Sequence, residues 1–256
     1  MLNQLDSYLY GLILTDGSIS FQSRNRGKIS IELNIKDKEL LQKIQTQIPN
    51  CKISHRTRNT NFKQHSQTVV LNNYQKEFRD KFINYGIPTM NKSIIGTVPN
   101  QLYSISDFWR GVYYGNGSIG FTNTNVPFIS LVTKSSALKV ELCNLLLRKF
   151  NINKQINPNT RDHVYNIVLK NEDAIQFSHF IYQNANIFMQ RKYDTYVQFQ
   201  KWNRTTKKMP HQIWTPKDIT YIQTHSIEES KEHLHRSASS IKTRLDHGTK
   251  ILCTLS

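Results

Sequence analysis

Tyr8-Leu-Tyr-Gly-Leu-Ile-Leu-Thr-Asp-Gly-Ser-Ile-Ser-Phe21 recurs, 100 residues later, as Phe108-Trp-Arg-Gly-Val-Tyr-Tyr-Gly-Asn-Gly-Ser-Ile-Gly-Phe121. Gly11 matches Gly111, Asp16 matches Asn116, and Gly17-Ser18-Ile19 matches Gly117-Ser118-Ile119. A repeat of this length implies two copies of one structural unit and pseudo-twofold architecture. The similarity continues downstream. Val69-Val70-Leu71 resembles Ile167-Val168-Leu169, Lys36 to Ile44 resembles Lys134 to Leu142 in apolar spacing, and Asn91-Lys92 aligns with Arg191-Lys192.

Each copy reads as helix, two strands, helix, two strands, helix. Residues 3–15 are apolar around a glycine and stop at Asp16-Gly17, a usual helix end. Lys28-Ile-Ser-Ile-Glu-Leu-Asn-Ile-Lys36 alternates polar and apolar without a break. That pattern predicts a half-buried strand with Ile29, Ile31, Leu33 and Ile35 inward. Asp37 is placed to cap the next helix, and strands near 51–57 and 67–72 precede a helix near 73–85. The expected domains are a first copy at 1–90, a linker at 91–105, a second copy at 106–202, a linker at 203–212 and a helical module at 213–256. In that last segment Thr215-Pro216 is an N-cap and N1 pair. Three short helices with a tight turn at His235-Arg236-Ser237 predict a helix-turn-helix.

Lys and Arg number 34 against 18 acids, a formal charge of +16. Such an excess repels itself, and a polyanionic partner, nucleic acid first, accounts for it. The three cysteines are odd in number and lack CxxC spacing, which argues against a disulfide scaffold or zinc ribbon and for a reducing, intracellular compartment. His225, His233, His235 and His247 are a poor zinc signal without paired cysteines. No apolar run of roughly 18 residues predicts a membrane span.

Gly11 and Gly111 let two helices approach closely, and if those helices pack side by side both C-termini arrive at one place. Each C-terminus carries about half a negative charge. An acid added there, against the dipole, calls for a divalent cation, and hard oxygen ligands suit Mg²⁺. Such an ion serves phosphodiester hydrolysis.

Leu9-Tyr-Gly-Leu-Ile-Leu-Thr-Asp-Gly17 resembles the LAGLIDADG motif of homing endonucleases, and Trp109-Arg-Gly-Val-Tyr-Tyr-Gly-Asn-Gly117 resembles a degenerate second copy. The resemblance spans roughly residues 1–200. It implies an α+β fold of two αββαββα repeats in which two four-stranded sheets straddle duplex DNA as a saddle. It implies a single-chain enzyme, monomeric, using Mg²⁺ with Ca²⁺ or Mn²⁺ as substitutes. Carried over, Asp16 and Asn116 hold the metal beside Thr15 and Gly115, and Lys92 and Lys192 assist. Asn116 departs from the pattern, because an amide coordinates Mg²⁺ only through a neutral oxygen. Three readings follow: a nickase or inactive binder, an active enzyme with a poor second ligand, or a substitution made to trap uncut DNA.

Candidate DNA contacts mix charge with hydrogen-bonding types, which suits base readout. In the first copy they are Arg24, Arg26, Lys28, Ser30, Glu32, Asn34, Lys52, Ser54, Arg56 and Arg58. In the second they are Asn123, Asn125, Asn166 and Lys170. In the helical module they are Arg236, Ser239, Ser240, Lys242, Thr243 and Arg244, the makings of a recognition helix. Two rivals share the composition: an intron maturase that binds RNA, and a DNA-binding regulator that does not cut.

Overall fold

A computed structural model describes residues 2–24, 26–58, 65–99, 101–204 and 214–252, apart from the side chains of Arg58 and of 247–252. The chain divides into two compact units, Met1–Arg204 and Thr205–Ser256.

The first unit is built twice over. The first copy runs α1 (Gln4–Thr15), β1 (Gly17–Phe21), β2 (Gly27–Asn34), α2 (Lys38–Gln47), β3 (Cys51–Arg58), β4 (Ser66–Asn73) and α3 (Lys76–Asn84). A short α4 (Lys92–Ile95) follows. The second copy runs α5 (Ile105–Asn116), β5 (Gly117–Phe121), β6 (Pro127–Thr133), α6 (Ser136–Phe150), β7 (Tyr165–Lys170), α7 (Asn171–Tyr182) and α8 (Gln190–Phe199).

Local chemistry sets the ends of α1 and α5. Asn3 accepts from the Asp6 amide and Asp6 accepts from the Asn3 amide, a reciprocal cap. Ser104 accepts from the Asp107 amide in the same way. Both helices are buried over nearly their whole length, including Leu12, Ile13, Trp109 and Val112. Their crossing is a backbone contact. A Cβ built on Gly11 would lie 2.2 Å from the Phe108 carbonyl oxygen, and one on Gly111 would lie 2.2 Å from the Tyr8 carbonyl oxygen. The two distances are equal, as pseudo-twofold symmetry requires.

The first sheet has the antiparallel order β1-β2-β4-β3. Ile29, Ile31 and Leu33 face the core with Val69 and Leu71. Burying each of these aliphatic side chains contributes roughly 1.5–3 kcal/mol. Ile35 leaves the strand for a one-turn 3₁₀ segment, Ile35–Asp37. Asp37 occupies the N-cap position of α2 but forms no side-chain cap. Its carboxylate instead receives Arg191 Nε at 2.8 Å and Nη2 at 3.0 Å, tying the first copy to the start of α8.

The second sheet has three strands, β5-β6-β7. Among the described residues no fourth strand joins it, contrary to expectation, and residues 151–158 form neither helix nor strand. Ile152 is buried and Ile156 packs on the core, so the segment keeps an alternating pattern. Its three asparagines disfavour a strand, and Pro158 has no N–H for a ladder.

The second unit comprises α9 (Pro216–Thr224), α10 (Ile227–Leu234) and α11 (Ala238–Leu252). Reciprocal caps pair Thr215 with Asp218 and Ser226 with Glu229. His235 ends α10 with φ +50°, and the next helix starts three residues on. Among its described residues the buried aliphatics are Ile222 and Ile241. No described helix is long and apolar enough to cross a membrane.

Candidate functional site

The ends of α1 and α5 meet. A Cβ on Gly115 would fall 2.2 Å from Thr15 Oγ1 and 3.0 Å from the Asp16 carboxyl carbon. Asp16 is the residue just past α1 and is half-buried, whereas Asn116 is the last residue of α5 and is exposed.

Each helix end is closed by a lysine. Lys92 Nζ donates to the carbonyls of Ile13 at 2.8 Å, Thr15 at 3.2 Å and Gly17. Lys192 Nζ donates to those of Tyr113 at 2.7 Å, Tyr114 at 3.2 Å and Gly117 at 2.8 Å. The cations satisfy orphan carbonyls and offset the negative end of each dipole.

Burial dominates the electrostatics. It raises the Asp16 pKa above its usual value, against the pull of Lys192 and Lys92 and with a push from Asp37. Burial brings Lys92 down to about 8, although Asp16 opposes the shift. Burial, then the charge of Arg191, bring Lys192 down to about 8, with Asp16 and Asp37 opposing. The Asp16 carboxylate has no hydrogen-bond partner among the described residues. An unbonded carboxylate between two helix C-termini fits a hard divalent cation. Among the described residues no cluster of three or more His, Cys, Asp or Glu forms. A cation here would therefore rest on Asp16 and on neutral oxygens, such as the Asn116 amide and the Gly115 carbonyl. The Thr15 carbonyl already accepts from Lys92.

Two family models cover both copies: the LAGLIDADG-like domain over residues 3–83, and the WhiA LAGLIDADG-like domain over residues 105–181. The chain belongs to the LAGLIDADG family. Solved LAGLIDADG structures agree in fold. The homing endonuclease I-WcaI, bound to its DNA recognition sequence, matches at 16% identity and TM-score 0.55, over 77% of this chain and 87% of that one. The meganuclease I-SmaMI, bound to uncleavable DNA, matches at 15% identity and TM-score 0.50, over 95% and 97%. The LAGLIDADG homing endonuclease I-LtrWI, bound to target DNA, matches at 12% identity and TM-score 0.50, over 78% and 91%. No curated protein matches the chain.

On this LAGLIDADG frame the strand register places the other expected residues. Lys28, Ser30, Glu32 and Asn34 share one face of the first sheet with Lys52, Ser54 and Arg56. Not all are free to meet a ligand. Ser30 is buried and donates to Asn72 Oδ1 at 2.8 Å, which removes it from the exposed set. Glu32 accepts from Thr68 at 2.8 Å and pairs with Arg56 at 3.4 Å. Arg24 and Arg26 are exposed in the β1–β2 turn. The Arg58 side chain lies outside the described residues.

The second sheet's face differs. Asn166 and Lys170 are exposed there, but their cross-strand partners are Val132 and Phe128. Val132 is 42% exposed. Asn123 and Asn125 lie in the β5–β6 turn, where Asn125's carbonyl accepts from Trp202 Nε1 at 2.8 Å.

In the second unit Arg236 precedes α11 rather than belonging to it. Its guanidinium lies 3.9 Å from the Trp214 ring centre and 3.7 Å from Asp218, so it locks the unit's own fold. Ser239, Lys242 and Thr243 are exposed on α11, with Ser240 and Arg244 partly so. Sequence reasoning missed Lys134 and Ser93, which line a cavity with Asn116, and Arg191 as the partner of Asp37. The repeat alignment of Asn91-Lys92 with Arg191-Lys192 was the available signal.

Proposed function

We propose that the chain is a site-specific DNA endonuclease of the homing type, monomeric, dependent on Mg²⁺, and biased toward cutting one strand. What supports this reading is the meeting of the ends of α1 and α5, where Gly115, next to Asn116, abuts Thr15 and Asp16. The charge of +16 favours duplex DNA as partner. The polar face of the first sheet supplies Lys28, Asn34, Lys52, Ser54 and Arg56 for base and phosphate contacts. The second face, with Val132, Asn166 and Lys170, suits a half-site read partly through thymine methyl groups. The second unit acts as a helix-turn-helix that lengthens the footprint through α11.

Asp16 and the helix-end carbonyls would hold the cation, which when bound acidifies a water and neutralises the leaving oxygen. Ca²⁺ or Mn²⁺ would replace Mg²⁺ at the same oxygens. Asn116 offers no charge, so its half of the centre grips a cation weakly. Lys92 and Lys192 hold the two helix ends in register and add positive charge beside the phosphates.

Gel shifts with duplex DNA and with structured intron RNA, in Mg²⁺ and in EDTA, test the partner. The proposal expects tighter duplex binding in both and nicked product in Mg²⁺ alone. Preference for RNA would favour a maturase. A second reading, a DNA binder that does not cut, draws on the neutral Asn116. It expects equal binding in both buffers and no nick at any Mg²⁺ concentration.

A further inference from the structure

Asn116 does not stand alone on its side of the centre. It lines an open cavity of ≈ 270 Å³ with Ser93, Val132, Thr133, Lys134 and Val164. Lys134 and Asn116 are both exposed, and Lys134 pairs with no acid among the described residues. The lining holds one cation, two hydroxyls and an amide, and no carboxylate. A divalent cation entering there would meet the charge of Lys134 with only neutral donors to offset it. A phosphate oxyanion would meet a point charge and several hydrogen-bond donors.

We propose that this cavity is a phosphate clamp: it takes a backbone phosphate of the bound duplex on Lys134, Ser93 and the Asn116 amide N–H, and leaves the firm grip on the cation to the Asp16 half. The two halves of the centre then divide the work. The Asp16 half holds the cation, and the Asn116 half anchors the strand. Asn116 is a gain of function in this arrangement, since its amide N–H can donate to phosphate. Without a cation to bridge them, an aspartate there would repel the phosphate.

The clamp rests on the DNA-binding reading, and one set of titrations separates the two. Affinity of the full chain for a mixed-sequence duplex is measured in EDTA from about 50 to 200 mM salt, where each neutralised phosphate contributes a slope of about −0.9. Lys134→Gln is expected to lower the slope by about 0.9, and Lys134→Arg to keep it. Asn116→Asp is expected to weaken binding several-fold in EDTA and to recover it when Ca²⁺ is added. Thermal melts verify that each variant is folded. An unchanged slope in Lys134→Gln, or equal affinity of Asn116→Asp and the parent chain in EDTA, removes the clamp and leaves the nuclease reading intact. Failure of the parent chain to bind any duplex removes both.

Discussion

Replacing Gly11 with alanine should injure the protein from the middle outward. The added methyl would sit 2.2 Å from the Phe108 carbonyl oxygen, 2.8 Å from the Val112 nitrogen and 3.2 Å from the Gly111 carbonyl carbon. All three are backbone atoms, so no side chain can turn aside. Restoring an ordinary contact of about 3.4 Å opens the helix pair by about 1.2 Å. A gap of that order forfeits a quarter to a half of the dispersion energy across it. Overpacking of this kind costs roughly 1–3 kcal/mol or somewhat more, and alanine's helix propensity returns about 1 kcal/mol. We expect a net loss of about 2 kcal/mol, seen by calorimetry as a fall in Tm of roughly 4–8 °C. Cleavage should fall further, by about 100-fold, because Asp16 and Asn116 are carried apart. Gly111→Ala should match it. The double variant should lose less than the sum, since the first methyl has already parted the helices. Gly120→Ala, whose methyl would meet only the Phe128 ring edge at 3.3 Å, serves as the control. A Gly11→Ala protein with unchanged or higher Tm would show that the helices do not meet backbone to backbone.

Asp16→Asn should abolish cutting and leave duplex affinity nearly intact. Because burial disfavours the ionised carboxylate, the same variant should melt higher than the parent in EDTA at neutral pH, and a lower Tm would contradict that cost. The depressed lysines predict a rise in stability at alkaline pH. Folded Lys92 and Lys192 release protons near pH 8, while the unfolded chain keeps them to about 10.5. Unfolding therefore binds protons in that window, and urea midpoints should climb between pH 8 and 10. Duplex affinity should fall over the same interval, as two positive charges are lost. Arg191→Ala strips a buried carboxylate of its bidentate partner. With Arg191 itself 55% exposed, the penalty is discounted for solvent to roughly 1–2 kcal/mol by denaturant unfolding. Adding Asp37→Asn should recover most of it.

Much of this architecture is legible along the chain because its signals are local. The paired glycine helices, the alternation through Lys28–Asn34, and the cap at Thr215-Pro216 each depend on neighbours within a turn or a strand. What escaped depends on distant partners. Asp37 has the spacing of a helix cap, yet Arg191, 154 residues away, takes its carboxylate. Ser30 alternates outward like its neighbours, yet Asn72 across the ladder closes over it. Arg236 has the composition of a recognition helix, but Trp214 and Asp218 draw it inward. The absent fourth strand of the second sheet shows a limit of repeat reasoning. Ile152 and Ile156 keep the apolar period, but asparagine and Pro158 withhold the backbone pairing. At the centre, the close meeting of the two motif helices follows from the repeat alone, whereas the carbonyl sets that hold Lys92 and Lys192 join groups 75 to 79 residues apart.

Strand-resolved mapping of cleavage bears most directly on an asymmetric centre. Duplexes recovered from a random pool by the full chain in Ca²⁺ are labelled on each strand and transferred to Mg²⁺. The account predicts a cut in one strand, well ahead of any cut in the other, for the parent chain. It predicts cuts in both strands for Asn116→Asp and in neither for Asp16→Asn. Equal cutting of both strands by the parent, or cutting that survives Asp16→Asn, would contradict it.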